Sequence, residues 1–320
     1  MTPTLQLDSR PLGDSDFSIP RIALGCGSFG GLGSTPGLAG HGLSDDESLA
    51  LMDAAWVFGI THFDTADAYG SGASEQSVGR WIRARGVRPT LTTKTFNPMA
   101  EGADSGLAPE RIARQFPASL ERLGVDHVEL YLAHAFDPEV PLDDNLAAFE
   151  ALRAAGQVST YGVSNFDAEQ LTQALAVGAP AAVQNGYSLL ERSDEAEVLP
   201  LCGERGLAYL VYSPLCGGWL TGKYRRGEQY PVRSRMTQLP GPYGGLTNDR
   251  TFDALEALEA FAFARGSSMA GTALAWLLAD QRVSQIVIGP GRAEHLEPAR
   301  EALAQPLAPE ERVELAAIFG

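Results

Sequence analysis

The stretch from Ile60 to Gly70 reads ITHFDTADAYG: a short apolar run that ends in Asp64, with Tyr69 just beyond it. Two later runs end in the same way, because Thr90 to Lys94 (TLTTK) closes on a lysine and His127 to His134 (HVELYLAH) closes on a histidine. Each run is typical of a buried strand. Any one of these polar residues, taken alone, fits an ordinary structural role, but a buried lysine needs a carboxylate close by. The combination predicts an enzyme site at one rim of a sheet, built from Asp64, Tyr69, Lys94 and His134.

Strand-like and helix-like segments alternate along the whole chain. The strand-like runs are Arg21 to Leu24, Thr61 to Thr65, Thr90 to Lys94, His127 to Leu132, Thr160 to Ser164, Ala182 to Asn185, Ala208 to Tyr212 and Gln285 to Ile288. Eight such units with right-handed crossovers predict parallel strands that close into a (β/α)8 TIM barrel. A doubly wound open sheet is the alternative. We expect one domain over residues 1–320, with the site on the loops that follow the strands.

The helices carry their own boundary signals. Ser44 and Glu47 form a capping box that opens a helix over Asp45 to Phe58, and Gly59 ends it. Further helices are predicted over Ser74 to Gly86, Pro109 to Leu123, Leu142 to Ala155 and Asp167 to Val177. Pro117 lies inside the third of these five helices and should bend it. The N-terminal piece, Thr4 to Ile19, is predicted to form a β-hairpin that caps the opposite end of the barrel.

The net charge and the cysteine content of the chain limit the classes of molecule that it is expected to bind. A formal net charge of −16 over 320 residues argues against nucleic acid or an anionic membrane as a partner. The three cysteines, Cys26, Cys202 and Cys216, have no metal-ligand spacing and suit a reducing compartment. No apolar stretch reaches ~20 residues, and the first residues do not read as a signal peptide. We therefore expect a cytoplasmic protein with a small-molecule substrate; the oligomeric state stays open.

One long connection, Cys216 to Thr251, is rich in glycine, proline and charge, which is typical of a lid or a disordered segment. It contains the basic cluster of an acidic chain: Lys223, Arg225, Arg226, Arg233 and Arg235. Two interpretations stand side by side. The cluster is either part of a solvated loop or a clamp for a phosphate-bearing cofactor.

Several motifs, in order along the chain, resemble the aldo-keto reductase superfamily. They are FDTADAYG at Phe63 to Gly70 with SEQSVG after it, GVSNF at Gly162 to Phe166, VQNGYSLLER at Val183 to Arg192, and YSPLCGGWLTGKY at Tyr212 to Tyr224. The resemblance runs from Ile22 to about Leu303. Its motif style is closest to the bacterial and potassium-channel-β-like branches.

The resemblance implies a barrel that binds NADPH without a Rossmann motif and reduces aldehydes or ketones, or oxidises alcohols in reverse. NADH is a further possible cofactor. The catalytic tetrad of the superfamily corresponds to the same four residues that lie at, or just past, the ends of the apolar runs. In this scheme Tyr69 donates a proton to the developing alkoxide, and Lys94 favours the phenolate. Asp64 keeps Lys94 ionised, and His134 orients the carbonyl.

Cofactor contacts are also implied residue by residue. Gly27, Ser28 and Asp64 would lie beside the nicotinamide. Ser164, Asn165 and Gln184 would bind its carboxamide, and Tyr212 would stack on its ring. Ser213, Pro214, Leu215, Gly217, Lys223 and Arg233 would wrap the pyrophosphate. The adenosine end would lie on Gly289, Gly291, Arg292 and His295. This last motif departs from the superfamily, because Gly291 stands where a basic or hydroxyl side chain is common and Arg292 is displaced by one residue.

The substrate is only weakly encoded. Four aromatic residues on the predicted loops could form an apolar wall: Phe29, Phe96, Phe136 and Trp219. Simple packing is the other interpretation of these residues. Two other classes of function remain open. One is a cofactor-sensing subunit like the potassium-channel β subunits, with little turnover. The other is a metal-dependent barrel hydrolase, which the scarcity of histidine and the lack of an HxH pair disfavour; no metal site is predicted.

Overall fold

The computed structural model describes residue 3, residues 5–13 and residues 15–320. Its strands are β1 Ser9–Pro11, β2 Ser18–Pro20, β3 Ile22–Gly25, β4 His62–Asp64, β5 Thr90–Thr95, β6 Val128–Ala133, β7 Val158–Ser164, β8 Ala182–Gly186, β9 Ala208–Tyr212 and β10 Val283–Ile288. Strands β3 to β10 are parallel and form a closed barrel. Closure comes from β10 pairing with β3, where Ile286 lies opposite Ile22. The TIM-barrel prediction is confirmed, and the open sheet is excluded.

Helices surround this barrel. They are α1 Asp45–Phe58, α2 Ala73–Arg85, α3 Pro109–Leu123, α4 Leu142–Ala154, α5 Ala168–Val177, α6 Val198–Glu204, α7 Arg235–Gln238, α8 Asp249–Ala264, α9 Met269–Ala279, α10 Glu297–Ala304 and α11 Pro309–Phe319. The predicted capping box is formed, with the Ser44 side chain accepting from the amide of Glu47. Helix α3 continues through Pro117 as one element of 15 residues.

The N-terminal hairpin closes one end of the barrel. Strands β1 and β2 pair antiparallel, with Ser9 opposite Pro20. Thr4, the first residue of the predicted hairpin, lies outside the described residues. Leu12 and Ile19 are fully buried against inward-facing residues of β6, β8 and β9. A side chain added at Gly13 would lie 2.4 Å from the carbonyl oxygen of Ala181, just before β8 begins. The hairpin therefore covers the amino-terminal ends of the strands and leaves the other end open.

The long connection after β9 contains more regular structure than its composition predicts. It includes two short 3-10 helices, Cys216–Thr221 and Gly241–Leu246, and the single-turn helix α7. Trp219 anchors it, because the indole is fully buried and packs on Tyr224 and Phe252. Among the described residues, no helix is both long enough and apolar enough to cross a membrane.

Candidate active site

The four residues of the predicted tetrad meet at the carboxyl-terminal rim of the barrel. Asp64 is the last residue of β4, and Lys94 lies near the end of β5. His134 directly follows β6, and Tyr69 begins a 3-10 helix, Tyr69–Gly72, after β4. Parallel strands present their carboxyl ends at the same face, so residues far apart in the chain become neighbours there.

The ammonium of Lys94 is the centre of this group. Its Nζ lies 2.5 Å from Asp64 Oδ1, 2.9 Å from the carbonyl oxygen of Thr65 and 3.4 Å from the hydroxyl of Tyr69. Lys94 has no exposed surface. Gln184 completes the surroundings of the carboxylate, because its Nε2 donates to Asp64 Oδ2 at 2.8 Å. Buried charges are tolerated when they are paired and hydrogen-bonded, as they are here.

The pKa of Tyr69 is not lowered overall, although Lys94 was expected to favour the phenolate. Burial raises the pKa of Tyr69 above its ordinary value, and the Lys94 ammonium only partly opposes that increase. Burial acts to lower the pKa of Lys94, but Asp64 and Tyr69 outweigh it and raise that pKa. At neutral pH the pair is therefore a protonated phenol beside an ammonium. This state suits a proton donor.

His134 stands across the site from Tyr69. The two rings are 5.6 Å apart between centroids and meet edge to face. Burial, and then the charge of Lys94, lower the pKa of His134 to about 3. The imidazole is therefore neutral at physiological pH, with one nitrogen that donates and one that accepts.

The residues assigned to the carboxamide form a connected polar group. Asn165 Nδ2 donates to the carbonyl oxygen of His134 at 2.8 Å, and Tyr212 donates its hydroxyl to Asn165 Oδ1 at 2.7 Å. Ser164 donates to the carbonyl oxygen of Gln184 at 2.6 Å. Asn165 has a φ of 60°, which is uncommon for a residue other than glycine and holds its amide at the rim. These bonds tie the proposed cofactor-binding residues to the tetrad.

Three observations fit a nicotinamide beside this group. The hydroxyl oxygen of Ser28 is buried without a hydrogen-bond partner among the described residues, so it is available to a ligand. Gly27 lies against Tyr69, since a side chain added there would be 3.5 Å from the ring. Gly186 likewise leaves room for Tyr212, at 3.3 Å. Both aromatic rings thus lie close to the backbone that surrounds the site.

The positions assigned to the pyrophosphate lie on the loop after β9. A side chain added at Gly217 would lie 2.6 Å from the ring of Tyr243, and the Tyr243 hydroxyl lies 3.4 Å from Ser213 Oγ. Ser213 has a φ of 52°, so the backbone turns sharply after Tyr212, ahead of Pro214 and Leu215. The segment is compact rather than disordered.

The basic cluster divides into two parts. Arg225 forms an ion pair with Glu259, and Arg226 pairs with Asp249, Asp253 and Glu256. These carboxylates all belong to α8, so the charges of both arginines are neutralised there. For Arg225 and Arg226 the structure therefore favours the other interpretation, in which they belong to the solvated surface of the loop.

Lys223 and Arg233 are exposed on the same loop, and Arg233 has a φ of 62°. Partial burial, and then the charges of Arg292 and Lys223, lower the pKa of His295 in the motif after β10. Gly291 donates its amide to His295 Nδ1 at 3.2 Å, and Arg292 lies 3.6 Å from Glu294. Arg292 and His295, after β10, thus lie within electrostatic range of Lys223 on the loop after β9.

The predicted aromatic wall is only half formed. Phe29 and Trp219 have no exposed surface and belong to the hydrophobic core, so their assignment as substrate contacts is wrong in this structure. Phe96 and Phe136 are partly exposed, and Phe136 packs edge to face on Phe166 with centroids 5.4 Å apart. These two remain able to meet a substrate.

Sequence patterns missed two features of the site. Asn97 Nδ2 lies 3.3 Å from His134 Nδ1, although an asparagine in a loop carries no distinctive signal. Behind the tetrad, Glu75 is fully buried and accepts from Thr93 Oγ1 at 2.5 Å and from Arg122 Nε at 2.7 Å. In the described part of the chain, no group of three or more His, Cys, Asp or Glu residues could hold a metal ion.

Comparisons with known proteins agree with this geometry. The profile described as the aldo/keto reductase family matches residues 21–318. The L-glyceraldehyde 3-phosphate reductase of Escherichia coli K12 is 30% identical over 316 residues, covering 93% of this chain and 88% of the relative. A probable voltage-gated potassium channel subunit beta of Oryza sativa subsp. japonica is 31% identical over 264 residues, covering 78% and 80%. A solved structure of a glycerol dehydrogenase from Gluconobacter oxydans has a TM-score of 0.84 at 27% identity, covering 98% of this chain and 95% of that one.

The chain belongs to the aldo/keto reductase family, as the motifs predicted. Members of this family are oxidoreductases that act on carbonyl or alcohol groups, and they generally use NAD(P)H.

Proposed function

We propose that this protein reduces an aldehyde or ketone to the alcohol with NADPH, and that Tyr69 is the proton donor. The observation that carries the proposal is the position of Lys94 Nζ, 2.5 Å from Asp64 Oδ1 and 3.4 Å from the Tyr69 hydroxyl, at the open end of the barrel. NADPH, when bound, supplies the hydride. The carbonyl carbon gains that hydride and its oxygen takes the phenolic proton, so atoms and charge balance.

The chain's own residues serve the second half of this exchange. A carbonyl oxygen that gains negative charge needs donors already in place, in a site with little water. Tyr69 is protonated at neutral pH and supplies its proton, and the Lys94 ammonium stabilises the phenolate that remains. Asp64 holds that ammonium in position. His134, neutral and at the same rim, is placed to hydrogen-bond the carbonyl oxygen.

The nucleotide end of the site supports NADPH over NADH. The charges of Arg292, after β10, and Lys223, after β9, both act on the pKa of His295, and cationic side chains such as these two suit a phosphate. Ser164, Asn165, Gln184 and Tyr212 would hold the nicotinamide end. The substrate that we propose is a small carbonyl compound.

Turnover by the purified protein tests the proposal directly. With NADPH and 4-nitrobenzaldehyde, the wild type should consume the reduced cofactor, and Tyr69→Phe should lower kcat at least about 100-fold because the acid is lost. Tyr230→Phe, which removes a hydroxyl that meets Thr247 on the outer loop, is the matched control. Binding of NADPH without turnover over a broad carbonyl panel would contradict the proposal. That result would favour the cofactor-sensing role suggested by the likeness to a channel β subunit.

The choice of nucleotide is tested in the same preparation. NADPH and NADH are titrated in parallel against the wild type, Arg292→Ala and Arg300→Ala. Arg292→Ala should weaken NADPH roughly fivefold, as expected for one exposed charge pair, and leave NADH unchanged. Arg300 pairs with Glu297 in α10 and serves as the control for a lost surface charge. Equal weakening of both nucleotides by Arg292→Ala would count against recognition of the extra phosphate.

A further inference from the structure

We propose that Asn97 is a positioning residue, which selects the tautomer of His134 that carries its proton on Nε2. The inference rests on the function proposed above in one respect, namely that His134 hydrogen-bonds the substrate carbonyl. Asn97 belongs to the loop after β5 and lies three residues beyond Lys94.

The amide nitrogen of Asn97 faces His134, and this placement carries the proposed direction of the hydrogen bond. Asn97 Nδ2 lies 3.3 Å from His134 Nδ1, and a side-chain amide nitrogen can only donate. The ring nitrogen that receives this bond must therefore carry a lone pair. A neutral imidazole has one proton, so that proton lies on Nε2. Burial and the nearby Lys94 charge keep the ring neutral, with a pKa of about 3.

Asn97 is held in place by a buried guanidinium. Arg111, on α3, is only 2% exposed and donates to the carbonyl oxygen of Asn97 at 2.8 Å. The same group donates to Thr95 Oγ1 at 2.7 Å and to the carbonyl oxygen of Gly106 at 3.0 Å. The loop backbone is thus fixed on both sides of Asn97, which keeps the side-chain amide within reach of the ring.

His134 is held from its other side. Asn165 Nδ2 donates to the backbone carbonyl oxygen of His134 at 2.8 Å. Among the described residues, none is hydrogen-bonded to His134 Nε2, so that atom remains available to a ligand. With the backbone carbonyl and Nδ1 both bound, Nε2 is the ring nitrogen left for the reaction.

The tautomer decides what this nitrogen can do. An Nε2–H group donates to a carbonyl oxygen and polarises it while Tyr69 supplies the proton. The opposite tautomer would present a lone pair to the lone pairs of that oxygen, which repels the substrate. Asn97 therefore acts on the reaction through His134, without contact with the reacting atoms.

Nuclear magnetic resonance of the full-length protein, labelled with ¹⁵N-histidine, reads the tautomer without turnover. The chain has five histidines, and the signal missing from His134→Gln identifies the relevant ring. The wild type should show the Nε2–H form, with and without bound NADPH. Asn97→Asp replaces a donor with an acceptor and should move His134 to the Nδ1–H form. Phe96→Leu changes the neighbouring side chain of the same loop and should leave the tautomer unchanged.

Kinetics supply the second measurement. Asn97→Asp should lower kcat/KM for 4-nitrobenzaldehyde roughly tenfold or more, because the donor to the carbonyl is lost, while NADPH affinity stays at the wild-type value. Asn97→Ala should give a mixture of tautomers and an intermediate rate, and it replaces Asn97→Asp if that variant does not fold.

An Nδ1–H form in the wild type would overturn the inference, as would an Nε2–H form that persists in both Asn97 variants. A shifted tautomer with an unchanged rate would overturn the catalytic role of Asn97. Absence of turnover by the wild type would instead overturn the proposed function, and the spectrum would still decide whether Asn97 sets the tautomer.

Discussion

The Lys94 and Asp64 side chains form an ion pair with no access to water on the lysine side. Its two charges depend on each other, because either one alone would be a buried, unpaired ion. The pair occupies the ends of two adjacent strands. The same two residues therefore belong to the proposed active site and contribute to the stability of the barrel.

Removal of the ammonium should therefore be costly. We expect Lys94→Met to lower the free energy of unfolding by about 3–5 kcal/mol, because Asp64 is left buried without its partner. Urea denaturation measures the loss. The double variant Lys94→Met, Asp64→Asn should recover most of that stability and none of the activity. Additive losses in the double variant would contradict the coupling.

Asn97 shows what a residue type alone does not reveal. Asp64, Tyr69, Lys94 and His134 were predictable because polar residues that end apolar runs are uncommon and chemically distinctive. Asparagine is frequent in loops, and its role depends on which atom of a distant ring it meets. The burial of Phe29 and Trp219 was unpredictable for a similar reason, since only packing decides which side of a loop faces the core.

Among the elements, α2 packs tightly on α3 at Gly79. A side chain added at Gly79 would lie 2.3 Å from the carbonyl oxygen of Arg122 and 2.7 Å from that of Leu123. These oxygens are backbone atoms and cannot rotate away. The same contact brings Arg122 to Glu75, and Glu75 in turn holds β5 behind Lys94.

The helix pair should thus reject even a methyl group. We expect Gly79→Ala to destabilise the protein by about 1–3 kcal/mol through overpacking, although alanine favours a helix more than glycine does. Gly203→Ala in α6 is the matched control, because nothing lies within 4 Å of the added atom. That control should stabilise the protein by up to about 1 kcal/mol. Thermal unfolding of both variants would compare them, and a stabilising Gly79→Ala would refute the close approach.

At the scale of the whole molecule, the two ends of the barrel carry different groups of polar residues. The rim at the carboxyl ends of the strands holds the tetrad, and the other end holds a buried histidine beneath the hairpin. His62 Nε2 contacts Thr92 Oγ1 at 2.8 Å, and its Nδ1 contacts Gln285 Nε2 at 2.9 Å. Gln285 also donates to the carbonyl oxygen of Pro20, so this network ties the barrel to the hairpin.

This buried histidine should make the fold sensitive to acid. Burial, and then the charge of Lys94, lower the pKa of His62 from 6.5 to about 3. Between those values the unfolded chain binds a proton that the folded chain does not, so stability falls as the pH falls through this window. The loss is about 1.4 kcal/mol per pH unit for each such group.

Urea unfolding between pH 7 and pH 4 measures the effect. The free energy of unfolding of His62→Gln should fall less steeply with pH than that of the wild type, by about 1.4 kcal/mol per pH unit, which corresponds to one bound proton. His41 is exposed, and His41→Gln should leave the decline unchanged. Asp67 acts in the opposite direction, because burial raises its pKa to about 7, but that contribution is common to all three proteins. Parallel curves for the wild type and His62→Gln would refute the prediction.

The sequence by itself determined the order of the eight barrel strands and of the first five helices, the capping of α1 and the four residues at the rim. These features follow from local periodicity and from polar residues at the ends of apolar runs, and both are written along the chain. Only the tertiary structure decided that Asn97 meets His134, that Arg225 and Arg226 pair with α8, and that Tyr69 stays protonated. Each of these depends on distance and burial between segments far apart in sequence, where free energies are set by the surroundings of a side chain and not by its type.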